Sequence, residues 1–203
     1  MLFFRKILMV ISQKITPLRI KIYKLQGRNI KLNIGSSIIN YRGWISTDID
    51  ILDITKDSDW DKFFCADSVD SILAEHVWEH LSSEDSNLGL KNCYKYLKPG
   101  GRIRIAVPDG LFPDRDYIKM VKPGGYGNGS DDHKVLYTYK TLGKALEDAG
   151  FNIDLLEYFD ENGKFNRKEW SSEDGHIRRS FKYDKRNENG LKYTSIIIDG
   201  IKK

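Results

Sequence analysis

Cysteine is scarce in this chain. Cys65 and Cys93 are its only two. That is too few for a disulfide framework, and their separation lacks metal-site spacing. A reducing, cytoplasmic setting is the simplest expectation. Long hydrophobic runs are missing as well. The longest near the N-terminus is Ile7–Ile11, far short of the roughly 20 residues of a membrane span. Arg5 and Lys6 interrupt the apolar stretch and no small-residue cleavage site follows, so no signal peptide is expected. Acid is absent from residues 1–47, which hold nine Lys or Arg; the first carboxylate is Asp48. The remainder carries 24 basic and 29 acidic residues. The net charge of +4 therefore belongs to the N-terminal segment and not to the whole surface. A nucleic-acid binder would spread its basic residues over its fold, so no nucleic-acid partner is expected.

What is present has the make-up of one globular domain. The 203 residues are 40% apolar, 12% aromatic and 31% charged, a balance that excludes disordered and collagen-like chains and suffices for one sizeable core. Residues 1–27 read as a basic amphipathic helical segment, and residues 28–203 as the domain proper. Phe4, Ile7, Leu8, Ile11 and Ile15 follow helical spacing, with Lys14 off the stripe. Such a stripe packs on its own domain or on a second copy of the chain, or it lies on an anionic membrane surface. The packing reading is preferred, because an apolar stripe is the usual sign of core. Pro17 ends this helix or starts a second one.

Along the body, strand and helix alternate. Residues 29–34, 43–49, 69–75 and 102–107 read as strands. Trp60, Phe63 and Phe64 mark a helical turn, and Ser82 with Asp85 three residues on caps a helix that buries Leu90, Cys93, Tyr94 and Leu97. Lys98-Pro-Gly-Gly101 stops it. Residues 110–135, with several of the prolines and glycines, read as one long loop, commonly a lid or binding element. Leu142, Ala145, Leu146 and Ala149 mark a helix that stops at Gly150. Residues 152–159 and 192–201 close the chain as strands with no helix between them. This order predicts an α/β fold: a mostly parallel sheet covered by helices on both faces, with an antiparallel C-terminal strand. Ligands in such sheets bind at the carboxyl ends of the strands.

The residues at those ends carry the chemistry. Gly35 after the first strand lets the backbone turn sharply and approach a ligand, although no G-x-G-x-x-G follows it. That absence disfavours a nicotinamide dehydrogenase. Asp48, at the end of the second strand, either accepts hydrogen bonds from a ribose diol or is a surface or capping aspartate.

The blocks LNIGSS and GWISTDID, then VDSILAEHVWEHL, LKPGGRIRIAVPD and DDHKVLYTYKTLGKALEDAGF, in that order over about residues 30–159, resemble the class I S-adenosylmethionine-dependent methyltransferases. More narrowly, the chain is similar to small predicted methyltransferases of surface-glycan pathways. The resemblance implies a seven-stranded Rossmann-like sheet and S-adenosyl-L-methionine as cofactor. It implies Gly35, Ser36 and Ser37 beside the methionine part of that cofactor, Asp48 on its ribose, Asp53 and Ile54 near its adenine, and Glu75 and His76 along its other flank. Ser37 departs from the family pattern, which has a second glycine there.

His76-Val-Trp-Glu-His80 also spells H-x-x-E-H, a zinc-hydrolase signature. That reading needs 76–80 to be helical and needs a third ligand. It coincides with the E-H-L expected of the resemblance, so His80 is read as packing within the fold and no metal centre is assigned. Asp109, Asp131 and Asp132 nevertheless offer oxygen ligands on the acceptor side.

A hydroxyl acceptor calls for a general base. His133, at the end of the long loop, is the first candidate, since histidine as a residue type titrates near neutral pH. The alternative is a histidine that ties the loop down. Asp109, following a strand end, binds or deprotonates the acceptor, or else shapes a turn. His176, Arg178 and Arg179, with Trp170, Phe181, Tyr183 and Tyr126, either line a site for a sugar or simply form a solvated and packed face. The expected function is S-adenosylmethionine-dependent O-methylation of a saccharide or other small-molecule acceptor. A protein of the same fold that binds the cofactor without catalysis is the alternative from another class.

Overall fold

Short apolar stretches bounded by breakers become seven strands in the computed structural model, which describes residues 15–36 and 39–203. The apolar stripe from Phe4 to Ile11, and Ser37, lie outside the described residues. The strands are β1 (Lys31–Ile34), β2 (Ile45–Ser46), β3 (Val69–Glu75), β4 (Leu97–Pro108), β5 (Asn152–Phe159), β6 (Phe165–Arg167) and β7 (Ser195–Ile201). They form one sheet in the order β2-β1-β3-β4-β7-β5-β6. The pairs from β2 to β4 are parallel. Strand β7 runs antiparallel to both β4 and β5, and β6 forms an antiparallel hairpin with β5. Buried Ile72, Leu73 and Ala74 on β3, and Ile105, Ala106 and Val107 on β4, are continuous apolar runs. Central strands covered on both faces require such runs.

The helices are α1 (15–25 of the described residues), α2 (Asp57–Asp61), α3 (Ser83–Tyr96), α4 (Arg115–Val121) and α5 (Tyr139–Asp148). Ser82 caps α3 by accepting from the Asp85 amide, and Thr138 with Thr141 forms a reciprocal capping box on α5. Pro17 lies within the described part of α1. This helix docks through Thr16, Ile20 and Tyr23 and leaves Ile15, Leu18, Ile22 and Leu25 exposed. Among the described residues, no helix is long and apolar enough to cross a membrane.

Four expectations change. Residues 110–135 are not one loop. Pro113 and Pro123 bracket α4, which starts where the Asp114 side chain accepts from the amides of Asp116 and Tyr117 and buries Tyr117 and Val121. Second, helix α3 does end just before Lys98-Pro-Gly-Gly101, at Tyr96, but these residues belong to strand β4. Gly100 turns at φ +76°, and the backbones of Gly100 and Gly101 exchange hydrogen bonds with Lys202. Third, β2 shrinks to two residues at the sheet edge, and its pairing continues irregularly: the Thr47 amide donates to Asn33 O (2.9 Å) and the Ser36 amide to Thr47 O (3.0 Å). Last, β7 starts at Ser195, because the Asn187 side chain takes the amides of Lys192 and Tyr193.

Candidate active site

The parallel strands deliver Gly35, Asp48, His76 and Asp109 to one end of the sheet. Gly35 turns at φ +58°, and a Cβ there would collide with the Val77 side chain; only glycine fits both demands. The Ser36–Thr47 bond then holds this turn beside Asp48. A cleft of about 560 Å³ opens above them, lined among others by Gly35, Asp48, Asp53, Thr55, His76 and His80. That volume lies within the roughly 300–1,000 Å³ usual for cofactor sites. Asp48 is half-buried at its wall, one carboxylate oxygen accepting from the Ile49 amide (2.8 Å). Burial alone would raise the Asp53 carboxyl, but the Thr55 and Lys56 donors outweigh it and hold Asp53 below the ordinary carboxylate value.

Three residues expected at the cofactor do not line this cleft. Ser36 is buried, and its hydroxyl donates to Thr47 O. Ile54 faces the core, while its carbonyl accepts from the Trp60 indole and the Asn92 amide. Glu75 is taken up on another side by the Arg178 guanidinium (3.1 Å) and the Arg179 amide (2.8 Å).

A second cavity of about 310 Å³ adjoins the first and shares His76 and His80 with it. Glu79, His133, Arg179, Arg186 and Tyr193 are among the polar residues that line it. Glu79 is fully buried. His76 Nδ1 stands 2.8 Å from its Oε1 and His133 Nε2 4.0 Å from the same oxygen, yet no donor meets either oxygen in hydrogen-bonding geometry. Burial pulls the Glu79 carboxyl up. His76, a backbone hydrogen bond and His80 together outweigh it, so Glu79 sits below its ordinary value. His133 Nδ1 lies 2.6 Å from Val121 O. A carbonyl only accepts, so Nδ1 carries the proton and Nε2 faces the cavity with its lone pair when the ring is neutral. The rings of His80 and His133 meet edge to face at 4.8 Å. Ligand atoms of Glu79, His80 and His133 all lie within 4.8 Å of one another. A larger hollow of about 660 Å³ opens by Tyr23, Arg28, Lys31 and Trp44, at the amino-terminal edge of β1 and β2 and away from these groups.

Several expectations are corrected here. Residues 76–80 are not a helix. His76 sits in the left-handed region at φ +58° and only Trp78–His80 form a single 3-10 turn, so the two histidines of H-x-x-E-H do not share a helix face. Asp109 is fully buried and lines neither cavity. Its two oxygens accept from the amides of Leu111 (2.9 Å) and Phe159 (2.7 Å), tying the end of β4 to the end of β5. Arg178 is paired with Glu75, and His176 packs against Tyr41 and Tyr183. Trp170, Phe181, Tyr183 and Tyr126 do not line the second cavity; its aromatic is Tyr193, with Arg186 over the ring. Sequence reasoning weighed Glu79 only as the base of the zinc-hydrolase reading of H-x-x-E-H and gave it no place in the methyltransferase site.

Burial, the largest influence on Asp109, pushes its carboxyl up to about 6, against the pull of the two amides. The folded state thus holds this proton more tightly than the unfolded chain does. Asp109's contribution to stability is therefore greatest below its ordinary value of 3.8 and shrinks as the pH rises to about 6. Urea unfolding of the wild type and Asp109→Asn should show a wider stability gap at about pH 4 than at about pH 7.5. A gap that widened toward neutral pH would contradict this environment.

Comparisons with known proteins agree with the architecture. A family model described as a methyltransferase domain matches residues 28–156. The chain is 32% identical over 105 residues to phosphoethanolamine N-methyltransferase 1 of Triticum aestivum, covering 47% of this chain and 20% of that protein; it thus spans about a fifth of the length of this curated relative. Among solved structures it resembles an S-adenosylmethionine-dependent methyltransferase of Archaeoglobus fulgidus, with a TM-score of 0.50, 19% identity and 94% of each chain covered. A Thermotoga maritima S-adenosylmethionine-dependent methyltransferase superposes with a TM-score of 0.50 at 18% identity, over 86% of this chain and 73% of that one. By the sequence family that spans most of it and by a seven-stranded sheet closed with an antiparallel strand, the chain belongs to the methyltransferase-domain family, of the class I, S-adenosylmethionine-dependent kind.

Proposed function

We propose that this chain methylates a hydroxyl of a sugar or glycan. The observation that carries the reading is the meeting of two cavities at His76 and His80, one built for a cofactor and one lined by ionisable groups. The first cavity fits S-adenosylmethionine. It has a glycine turn with no room for a side chain, a carboxylate at the end of β2 for a ribose diol, and sufficient volume. When bound, this cofactor supplies an electrophilic methyl group. The chain's own part is to place the acceptor behind that methyl and remove the acceptor's proton. His133 Nε2 is the group that accepts this proton, with its other nitrogen committed to Val121. Arg179, its backbone amide and carbonyl committed to Glu75 and Ser195, presents its side chain at the wall of the acceptor cavity and suits an acceptor that carries negative charge.

That arginine also favours a second reading, N-methylation of a phosphorylated amine, in keeping with the name of the wheat relative. Calorimetry with S-adenosylmethionine and its demethylated product tests the first cavity. Asp48→Ala should weaken binding about ten- to a hundredfold, the effect of losing hydrogen bonds to a charged group. Transfer of labelled methyl to a panel of sugars, sugar phosphates and phosphoethanolamine then separates the acceptors. Cofactor binding with no transfer to any of them would favour a binding protein of the same fold.

A further inference from the structure

The acceptor cavity holds an electrostatic problem that methyl transfer by itself does not explain. Three side chains from two separate segments converge there: Glu79 and His80 from the turn after β3, and His133 from the segment before α5. Glu79 is fully buried, and among the described residues its oxygens meet no donor in hydrogen-bonding geometry; their one close polar contact is His76 Nδ1, 2.8 Å from Oε1. A carboxylate buried with so few donors is unfavourable. The ring nitrogen nearest it from His133 is the one without the hydrogen, because Nδ1 donates to Val121 O. His80 Nδ1 is likewise buried without a hydrogen-bond partner, 3.3 Å from an Asp132 oxygen. The Glu79 oxygens, the His133 Nε2 lone pair and a ring nitrogen of His80 thus converge on a space no wider than 4.8 Å.

We propose that Glu79, His80 and His133 bind a divalent first-row transition-metal ion. A cation at the centre turns the converging lone pairs from a cost into ligands. The supporting contacts are those of a metal site. Ligating histidines donate their other ring hydrogen to a carbonyl, as His133 does to Val121, and ligating carboxylates are held by an outer partner, as His76 holds Glu79. Two imidazoles with carboxylate favour zinc, iron, cobalt or manganese over the all-oxygen preference of magnesium and calcium. In H-x-x-E-H the roles then change: Glu79 and His80 ligate, and His76 orients. The ion would occupy the His133 Nε2 lone pair, so that in the loaded chain His133 serves as a ligand and accepts the acceptor's proton only in the metal-free chain. The open coordination positions face the 310 Å³ cavity, so the ion would meet an oxygen of the acceptor. That last placement rests on the methyltransferase reading; the ligand set does not.

Cobalt(II) is a suitable probe, because a nitrogen-and-oxygen site gives it a visible absorption band. The wild-type chain, stripped with chelator, should bind one equivalent of cobalt(II), as seen by absorption and by equilibrium dialysis. Glu79→Gln and His133→Ala, each checked for folding by circular dichroism, should lose the band. His76→Gln should keep it with affinity reduced about 10- to 100-fold, and His176→Ala, outside the cluster, should keep it unchanged. Failure of the wild type to bind, or a band that survives in both Glu79→Gln and His133→Ala, would overturn the proposal. S-adenosylmethionine calorimetry on the same samples separates the two readings. Cofactor binding without cobalt binding sinks the metal site alone, and cobalt binding without cofactor binding sinks the methyltransferase reading alone.

Discussion

Arg104→Ala is expected to lower the unfolding free energy by about 3–5 kcal/mol, the usual cost of leaving one partner of a buried ion pair behind. Arg104 is 1% exposed on β4 and lies directly across from Asp199 on β7. Nε and Nη2 donate to the two Asp199 oxygens at 2.7 and 2.8 Å, a bidentate pair. Nη1 donates to the carbonyls of Ser171 and Gly175, and the guanidinium lies over the Trp170 ring at 4.8 Å. Alanine leaves Asp199, 2% exposed, with only the half-exposed Arg102 at 3.3 Å. It also unties residues 171–175, the segment that leads into Arg178 and Arg179. The loss would therefore reach the acceptor cavity as well as the sheet. Urea denaturation measures it. The double variant Arg104→Met/Asp199→Leu should recover most of the stability, since a buried pair is often replaceable by apolar side chains of similar volume. A loss below about 1 kcal/mol in the single variant would show that water reaches Asp199 and that the pair contributes little.

Where local pattern and tertiary burial agree, the sequence was legible. The runs 69–75 and 152–159 are strands at their expected bounds, because breakers flank apolar stretches that the sheet buries. Ser82 and Asp85 announce the start of α3 by a local hydrogen bond, so no tertiary information was needed. Helix α4 escaped notice because two prolines and a run of glycines dominate its neighbourhood, though Asp114 with Tyr117 and Val121 carries a cap and a buried face. The site was less legible for a physical reason. Whether a carboxylate is solvated, paired or orphaned depends on what the fold stacks against it. Asp109 and Glu79 are both fully buried acids near strand ends; amides satisfy the first, and the second is left facing two histidines. Adjacent Arg178 and Arg179 part in the same way. One pairs with Glu75 and the other lines the cavity, a division that no spacing in the sequence encodes.

His133→Ala should slow methyl transfer by about 10² to 10⁴-fold, the usual contribution of a positioned proton acceptor. Affinity for S-adenosylmethionine should change little, because His133 lines the acceptor cavity and not the cofactor cleft. Alanine removes two things at once: Nε2 in the cavity, and the Nδ1 donor that holds Val121 O. His133→Asn separates them. Its amide can still donate toward Val121 O, so the segment stays anchored, but nothing basic replaces Nε2. If chemistry at Nε2 is the role, both variants lose turnover to a similar degree while His133→Asn keeps the wild-type melting temperature. If anchoring is the role, His133→Asn restores turnover and His133→Ala alone is slow. Single-turnover rates with saturating cofactor give the comparison, since they report the transfer step apart from product release. Full activity in both variants would remove His133 from the chemistry and leave Glu79 as the remaining buried base beside the acceptor.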